Sequence, residues 1–338
     1  MIDNKLLKNK IVLITGGTGS LGRALTKRLL ETDVNIIRIF SRNENKQITM
    51  ESEFNDGRLR FLVGDIRDLP RLQRALEDVD IVFHTAALKH VPVIEYNPFE
   101  AIKTNVMGSQ NVIDACLHEN VEIAVGVGTD KAVSPLNTYG ATKLLMEKLF
   151  VTANNYLNPE RHRTKFIALR YGNVLGSSGS VVPKFIKQIQ ENKKITLTDL
   201  KMTRFSITMD EALDFILDST FIAKGSEIFI PKLRAYTIED IKNALFDLLG
   251  NTGEECIPVR EGEKIHETLI NLDEMRNTWE LDSKYVIISS SFDKKEIEKR
   301  YHGIKKIESE NSYSSNLVEK IPVDELKQII QNSRLIDK

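Results

Sequence analysis

Glycines at positions 16, 19 and 22 follow a short apolar run at 11–14 and open a stretch, 21–30, whose apolar residues recur at helical spacing. A glycine turn held between a buried strand and a helix, this close to the N-terminus, restricts the fold more than any other feature of the chain. Glycines permit the tight turn and let backbone approach a pyrophosphate, whose charge is favoured at a helix N-terminus. The candidate dinucleotide-binding residues here are Gly16, Thr18, Gly19, Ser20, Leu21 and Gly22.

Further apolar runs at 35–40, 60–63, 80–84, 123–127 and 166–169 read as strands, and segments 69–76, 97–119 and 139–155 carry helical spacing. This alternation predicts an α/β fold, a Rossmann-like doubly wound parallel sheet with helices on both faces. Ligands of such sheets bind beyond the carboxyl ends of the strands. After Asn173 the pattern becomes irregular, beginning with a Gly/Ser loop at 176–179, which predicts a smaller C-terminal substrate-binding domain. The expected division is a dinucleotide-binding domain at 1–173, to which a helix and strand within 208–232 return. Residues 174–207 and 233–338 then form mainly the substrate-binding domain and a tail, with a last helix at 323–330.

The second predicted strand ends in Phe40-Ser41-Arg42. An NAD site places an acidic residue there for the ribose 2′-hydroxyl. Ser41, Arg42 and nearby Lys46 suit a 2′-phosphate better, because a guanidinium makes charge-assisted forks to phosphate, so NADP is the expected cofactor. Asp65 and Ile66 after the third strand are expected to edge the adenine. The small Ala86 and Ala87 after the fourth would admit the cofactor to the backbone.

Past the fifth strand stand Thr129, Asp130 and Lys131, followed by Tyr139 and Lys143. Four residues apart on a helix, Tyr139 and Lys143 share one face. A phenol beside an ammonium ionises at lower pH, so this pair is suited to take a hydroxyl proton while a nicotinamide takes the hydride. Asp130 and Lys131 add an acid and a base. A redox step alone does not need so many proton-transfer groups, so the pattern points to elimination chemistry as well.

The formal net charge is −1, with charged residues at 28% and hydrophobic residues at 41%. Nothing global attracts nucleic acid or an anionic membrane. No apolar run approaches the roughly 20 residues that span a bilayer, and the first ten residues lack a signal-peptide core. The two cysteines, Cys116 and Cys256, support no disulfide framework, and no zinc-ligand spacing occurs, so a cytoplasmic protein without a metal is expected.

With the glycine turn, Tyr139-x-x-x-Lys143 and Arg170-Tyr171-Gly172-Asn173, the sequence resembles the extended short-chain dehydrogenase/reductase superfamily. More narrowly it resembles the inverting UDP-N-acetylglucosamine 4,6-dehydratases of bacterial surface-sugar pathways. The matching segments include Ala87-Leu88-Lys89-His90-Val91-Pro92, Thr129-Asp130-Lys131-Ala132, Gly179-Ser180-Val181-Val182-Pro183, Met202-Thr203-Arg204-Phe205 and Gly262-Glu263-Lys264-Ile265-His266-Glu267. They run from the first strand to about residue 320.

The resemblance implies a UDP-sugar substrate oxidised at C4, deprotonated at C5 by Lys131, relieved of its C6 hydroxyl with help from Asp130, and reduced at C6. The product is a 6-deoxy-4-keto sugar, and NADP stays bound between turnovers. Tyr139 serves as C4 base, Lys143 holds the nicotinamide ribose, and Thr129 bonds the reacting hydroxyl. Retaining relatives carry glutamate where Lys131 stands, so the lysine implies inversion at C5. Asn173, Val181, Arg204 and Arg260 are implied substrate contacts, with Lys89 and Glu263 further candidates. A homo-oligomer, dimer or hexamer, is also implied. Relatives carry serine where this chain has Gly128, and a sister group carries methionine in place of Tyr139.

A lysine base must be neutral part of the time, and Lys143, the nicotinium charge and burial are expected to lower the pKa of Lys131. Three alternatives remain open: a UDP-sugar 4-epimerase, in which Asp130 and Lys131 have no task, a C5-retaining dehydratase, and a non-catalytic NADP-sensing regulator.

Overall fold

The computed structural model describes residues 6–158, 160–177, 179–259, 262–333 and 335–336. The N-terminal part alternates as expected. Strands β1 (Ile11–Thr15), β2 (Ile36–Ser41), β3 (Leu59–Val63), β4 (Ile81–His84), β5 (Ile123–Val127) and β6 (Lys165–Leu169) are joined through helices. Those helices are α1 (Ser20–Leu30), α2 (Glu44–Phe54), α3 (Leu69–Leu76), α4 (Val91–Tyr96), α5 (Pro98–Ala101), α6 (Gly108–His118) and α7 (Thr138–Ala153). A π-helical segment, Ile102–Met107, joins α5 to α6, so the expected single helix at 97–119 is broken at its first turns. α2 was not expected from the sequence. Only Gln47 and Met50 on it are buried, too few to set up an apolar stripe.

The next elements are β7 (Asn173–Val174), α8 (Val181–Gln190), β8 (Ile195–Leu197), β9 (Thr203–Ile207), α9 (Met209–Ile222), β10 (Ile228–Pro231), β11 (Ala235–Thr237) and α10 (Ile238–Leu249). The chain ends through β12 (Glu254–Cys256), β13 (Thr268–Ile270), α11 (Leu272–Met275), β14 (Thr278–Leu281), β15 (Lys284–Ile287), α12 (Lys294–Arg300), β16 (Lys305–Lys306), β17 (Tyr313–Ser314) and α13 (Val323–Asn332).

The large sheet has the order β16-β14-β15-β10-β6-β5-β4-β1-β2-β3. From β3 to β10 the pairing is parallel, and β10 joins beside β6. The strands β14, β15 and β16 extend the sheet by antiparallel pairing. Part of the 233–338 segment therefore completes the large sheet rather than the smaller layer over it. Strand order reverses between β1 and β4, and at such a switch point the loops at the carboxyl ends diverge and leave a crevice.

Side chains alternate across the sheet with period two. Val12 and Ile14 pack with Leu25 and Ile216 on one face, and Leu13 packs with Ile113 and Phe150 on the other. Burial on both faces is why these strands read as continuous apolar runs. A separate core, including Phe185, Leu197, Ile241 and Leu326, holds the smaller layer together. Among the described residues no helix is long and apolar enough to cross a membrane.

Candidate active site

Gly16 has φ +67°, and a Cβ placed on it would stand 2.8 Å from Cα of Ala86. The loops after β1 and β4 therefore touch at the sheet reversal, and only glycine fits. A Cβ on Gly22 would lie 2.5 Å from Cα of Gly17, so α1 starts hard against the turn. α1 has Gly19 at its N-cap and no side-chain cap, so its first N–H groups suit an anion. Thr18, Ser20 and Leu21 lie within this turn. A cradle that one methyl group would fill fits a dinucleotide pyrophosphate.

At the end of β2, Ser41 is buried and accepts a hydrogen bond from the Gln47 amide at 3.0 Å. The Arg42 guanidinium is exposed, 3.8 Å from Asp65, and Lys46 is exposed on the first turn of α2. Asp65 is gripped at 2.7 Å by Arg67, and Ile66 is buried. Ala86 and Ala87 are half-buried. The π-helical segment turns Asn105 so that its side chain bonds both the N–H and the carbonyl of Leu88, at 2.8 and 2.9 Å, and the Thr142 hydroxyl at 3.0 Å. That side chain ties the loop after β4 to α7, a kind of role common for π turns.

The Thr129-Asp130-Lys131 segment leaves β5 as a short 3₁₀ turn, with the Thr129 hydroxyl donating to Asp130 at 2.7 Å. Asp130 is fully buried, and its second carboxylate oxygen has no hydrogen-bond partner. The Lys131 ammonium donates to Asp130 at 3.0 Å and to Asn173 at 3.1 Å, and lies 3.8 Å from Glu267. Burial works to lower the pKa of Lys131, but Asp130 and Glu267 outweigh it and the net displacement is upward. This corrects the expectation of a lowered value. Burial similarly drives the Glu267 carboxyl up against the opposing pull of Lys131.

Tyr139 and Lys143 share one face of α7, whose N-terminus is capped by Asn137 accepting from the Gly140 N–H. Lys143 is buried, donates to the Val127 carbonyl at 2.5 Å, and is pushed down to about 8 by burial against the raising influence of Glu147. The Tyr139 phenol is pushed up to about 12, first by burial, while Lys131 and a hydrogen bond with Thr129 work the other way. The cation acting on this phenol is thus Lys131. The expected lowering by Lys143 does not occur, because Lys143 is turned to a backbone carbonyl.

Of the set Thr129, Asp130, Lys131, Tyr139 and Lys143, Lys131 lines a cavity of about 710 Å³, together with Asn173, Val181, Lys89 and Glu267 among polar and apolar neighbours, and the other four are not among its lining residues. Arg204 also lines it, 7% exposed, with its guanidinium donating to the carbonyls of Thr203 and Ile265 at 2.9 and 3.1 Å and to Glu263 at 3.4 Å. Glu263 and Glu267 each retain a buried oxygen without a partner. Burial, then Lys131, lowers the pKa of Lys89. Arg260 lies outside the described residues. At Gly128 a Cβ would stand 2.5 Å from the Leu169 carbonyl oxygen, so this chain has no space for a side chain there.

Sequence reasoning did not single out Glu267, Asn105 or the buried group Arg170, Glu147 and Glu274. Glu267 had a signal, since it closes the 262–267 motif in which only Glu263 was chosen.

Sheet order, glycine cradle and the Tyr139–Lys143 pair define a doubly wound dinucleotide-binding protein of the extended short-chain dehydrogenase/reductase superfamily. A family model described as polysaccharide biosynthesis protein matches residues 12–289. The chain belongs to that family. It is 45% identical over 313 residues to UDP-N-acetylglucosamine 4,6-dehydratase (inverting) of Campylobacter jejuni, covering 92% of this chain and 88% of the relative. A UDP-glucose 4-epimerase of Rickettsia bellii is 39% identical over 329 residues, 96% of either chain. The X-ray structure of Pen from Bacillus thuringiensis superposes with a TM-score of 0.89 at 39% identity, over 97% of this chain and 99% of that one. At 22% identity and a TM-score of 0.68, DesIV, a dTDP-glucose 4,6-dehydratase from Streptomyces venezuelae with NAD and TYD bound, shares the fold over 75% of this chain and 86% of its own.

Proposed function

We propose that this chain is a hydro-lyase, a UDP-N-acetylglucosamine 4,6-dehydratase that inverts C5 and uses a nicotinamide dinucleotide, NADP rather than NAD. The observation that carries this is the Asp130–Lys131 pair, whose lysine lines the cavity and whose charges act on Tyr139, a second set of proton-transfer groups that oxidation at C4 alone does not need. The 45% identity to a dehydratase of that name supports the same assignment.

Residues 16–22, Arg42, Lys46 and Lys143 would hold the dinucleotide, with Ser41, Asp65, Ile66, Ala86 and Ala87 lining its path. When bound, it supplies a reversible hydride acceptor at C4 and donor at C6. Tyr139 takes the C4 hydroxyl proton as that carbon becomes a ketone. The ketone acidifies the C5 hydrogen; the Lys131 ammonium passes a proton to Asp130 along their 3.0 Å hydrogen bond, and the neutral amine then removes that hydrogen. Asp130 gives the proton received from Lys131 to the departing C6 oxygen, and water leaves. Thr129 holds Asp130 and the reacting hydroxyl. Asn173 accepts a hydrogen bond from the Lys131 amine, and Arg204, Arg260, Val181, Lys89 and Glu263 serve the nucleotide sugar.

A dinucleotide-binding part, 1–173 with 208–232, and a substrate-binding part, 174–207 with most of 233–338, belong to the same proposal. So do the cytoplasmic location and a homo-oligomer, dimer or hexamer, which light scattering would detect.

A 4-epimerase is the second reading, favoured by the 39% identity to a protein of that name. Incubation with UDP-N-acetylglucosamine separates them. A dehydratase yields a sugar lighter by one water, and an epimerase leaves the mass unchanged. An unchanged mass with a new C4 epimer would overturn the dehydratase assignment.

A further inference from the structure

We propose that Glu267 is a positioning residue for the Lys131 amine, which is held by two buried carboxylates, one on its own loop and one delivered from the segment before β13. The proposal rests on the assignment of Lys131 as C5 base. Asp130 is the neighbour of Lys131 in sequence and takes its ammonium at 3.0 Å. Glu267 is far away in the chain, yet brings Oε1 to 3.8 Å from the same nitrogen.

Its placement is built rather than incidental. Glu267 is 3% exposed and immediately precedes β13. Its backbone N–H donates to the Ser315 hydroxyl at 2.9 Å, and its carbonyl accepts from the Ser315 N–H at 2.8 Å and the Ser314 hydroxyl at 3.1 Å. The Ser315 hydroxyl also bonds Thr203, beside Arg204. With its backbone fixed by the 314–315 segment, the side chain reaches the cavity, where Oε2 is buried without a partner. A buried carboxylate with an unmade hydrogen bond is expensive, so its charge has to be justified by the cations it faces.

Those cations are Lys131 and Arg204, whose Nε is 3.9 Å from the same Oε1. Lys264 acts on it from further off and is itself bound to the Val133 carbonyl. Around Lys131 the other ionisable groups include Tyr139 from α7, Lys89 after β4, Tyr236 in β11 and Lys264. Asp130 and Glu267 are the two acids within 4 Å of its nitrogen among the described residues. Without Glu267 the amine would be drawn to one side, toward Asp130 and Asn173. A misplacement of about 1 Å at a reacting group costs as much as roughly 100-fold in rate.

The test uses the holoenzyme with UDP-N-acetylglucosamine and follows water loss and C5 exchange from deuterated solvent. E267Q keeps shape and removes charge, whereas E267D keeps charge and retracts it by one methylene. Expected are kcat values in the order wild type, E267D, E267Q, with E267Q down about tenfold or more while KM and bound dinucleotide stay near wild type. A shape-filling role reverses the order of the two variants, and a sugar-binding role raises KM instead. Either result overturns the proposal. Should E267Q fail to fold, E267D carries the test alone. A several-fold lower kcat at unchanged KM supports the proposal, and unchanged kcat or raised KM refutes it. A wild-type enzyme that neither dehydrates nor exchanges at C5 overturns the underlying assignment of Lys131 rather than the part played by Glu267.

Discussion

Replacing Arg170 by methionine should unfold the protein several degrees earlier, for a reason visible at one buried point. Arg170 is fully buried at the end of β6. Its Nε and Nη2 donate to Glu147 of α7, and its Nη1 and Nη2 donate to Glu274 of α11, both at 2.9 Å, with Nη1 also reaching the Leu269 carbonyl at 2.8 Å. All five donors of the guanidinium are thereby used. Methionine fills similar volume but leaves Glu147, itself 0% exposed, without its main counter-charge. Breaking a buried pair on one side costs about 3–5 kcal/mol. At about 2.1 cal/mol/K per residue, a chain of 338 residues unfolds with roughly 0.7 kcal/mol/K, so about 4 kcal/mol lowers the midpoint by about 6 °C. Calorimetry of R170M reads this directly. Removing the stranded charge as well, in R170M/E147L, should recover about half of the loss, because a buried ion pair exchanged whole for apolar groups is often near neutral. A midpoint for R170M within about 1 °C of wild type would refute this account of how α7 is anchored.

Three further outcomes follow from the site. Lys143 sits at about 8 in the fold against 10.5 in an unfolded chain, so between those values only the unfolded state holds the proton and stability rises with pH. Compared with K143M, wild-type apoprotein should gain roughly 3 kcal/mol across that window in urea titrations, and parallel curves would contradict it. Gly16→Ala must place a methyl group 2.8 Å from the Ala86 backbone at φ +67°, so dinucleotide binding by fluorescence titration should weaken at least tenfold. Arg42→Ala should weaken NADP about tenfold or more while leaving NAD nearly unaffected, since a charge-assisted contact is worth about 1.5–3 kcal/mol, and equal losses would remove Arg42 from cofactor choice.

Much of this architecture was legible in the sequence because its signals are local. The glycine turn, the alternating strands and the four-residue interval between Tyr139 and Lys143 each depend on near neighbours. The electrostatics of the site were not legible, because they depend on which groups, near or far in the chain, the fold turns toward one another. Lys131 was expected to be easily deprotonated from its neighbourhood with Lys143. The fold turns Lys143 to a carbonyl of β5, folds the Asp130 carboxylate back onto the ammonium and brings Glu267 from before β13, which together reverse the sign. The hairpin of β14 and β15 joins the large sheet by antiparallel pairing with β10, which nothing within residues 278–287 announces. Asn105 reads as one polar residue in a helical stretch until a π turn directs it at the loop after β4.

Product formed from UDP-N-acetylglucosamine in deuterated water, by wild type and by K131A, tests the central claim most directly when followed by NMR and mass spectrometry. Wild type should release a 4-keto-6-deoxy sugar with one deuterium at C5 and inverted configuration there, whereas K131A should retain bound dinucleotide and lose C5 exchange by about 100-fold or more. Full exchange by K131A, or a wild-type product that keeps its C5 configuration, would contradict the assignment of the Lys131 amine as the base.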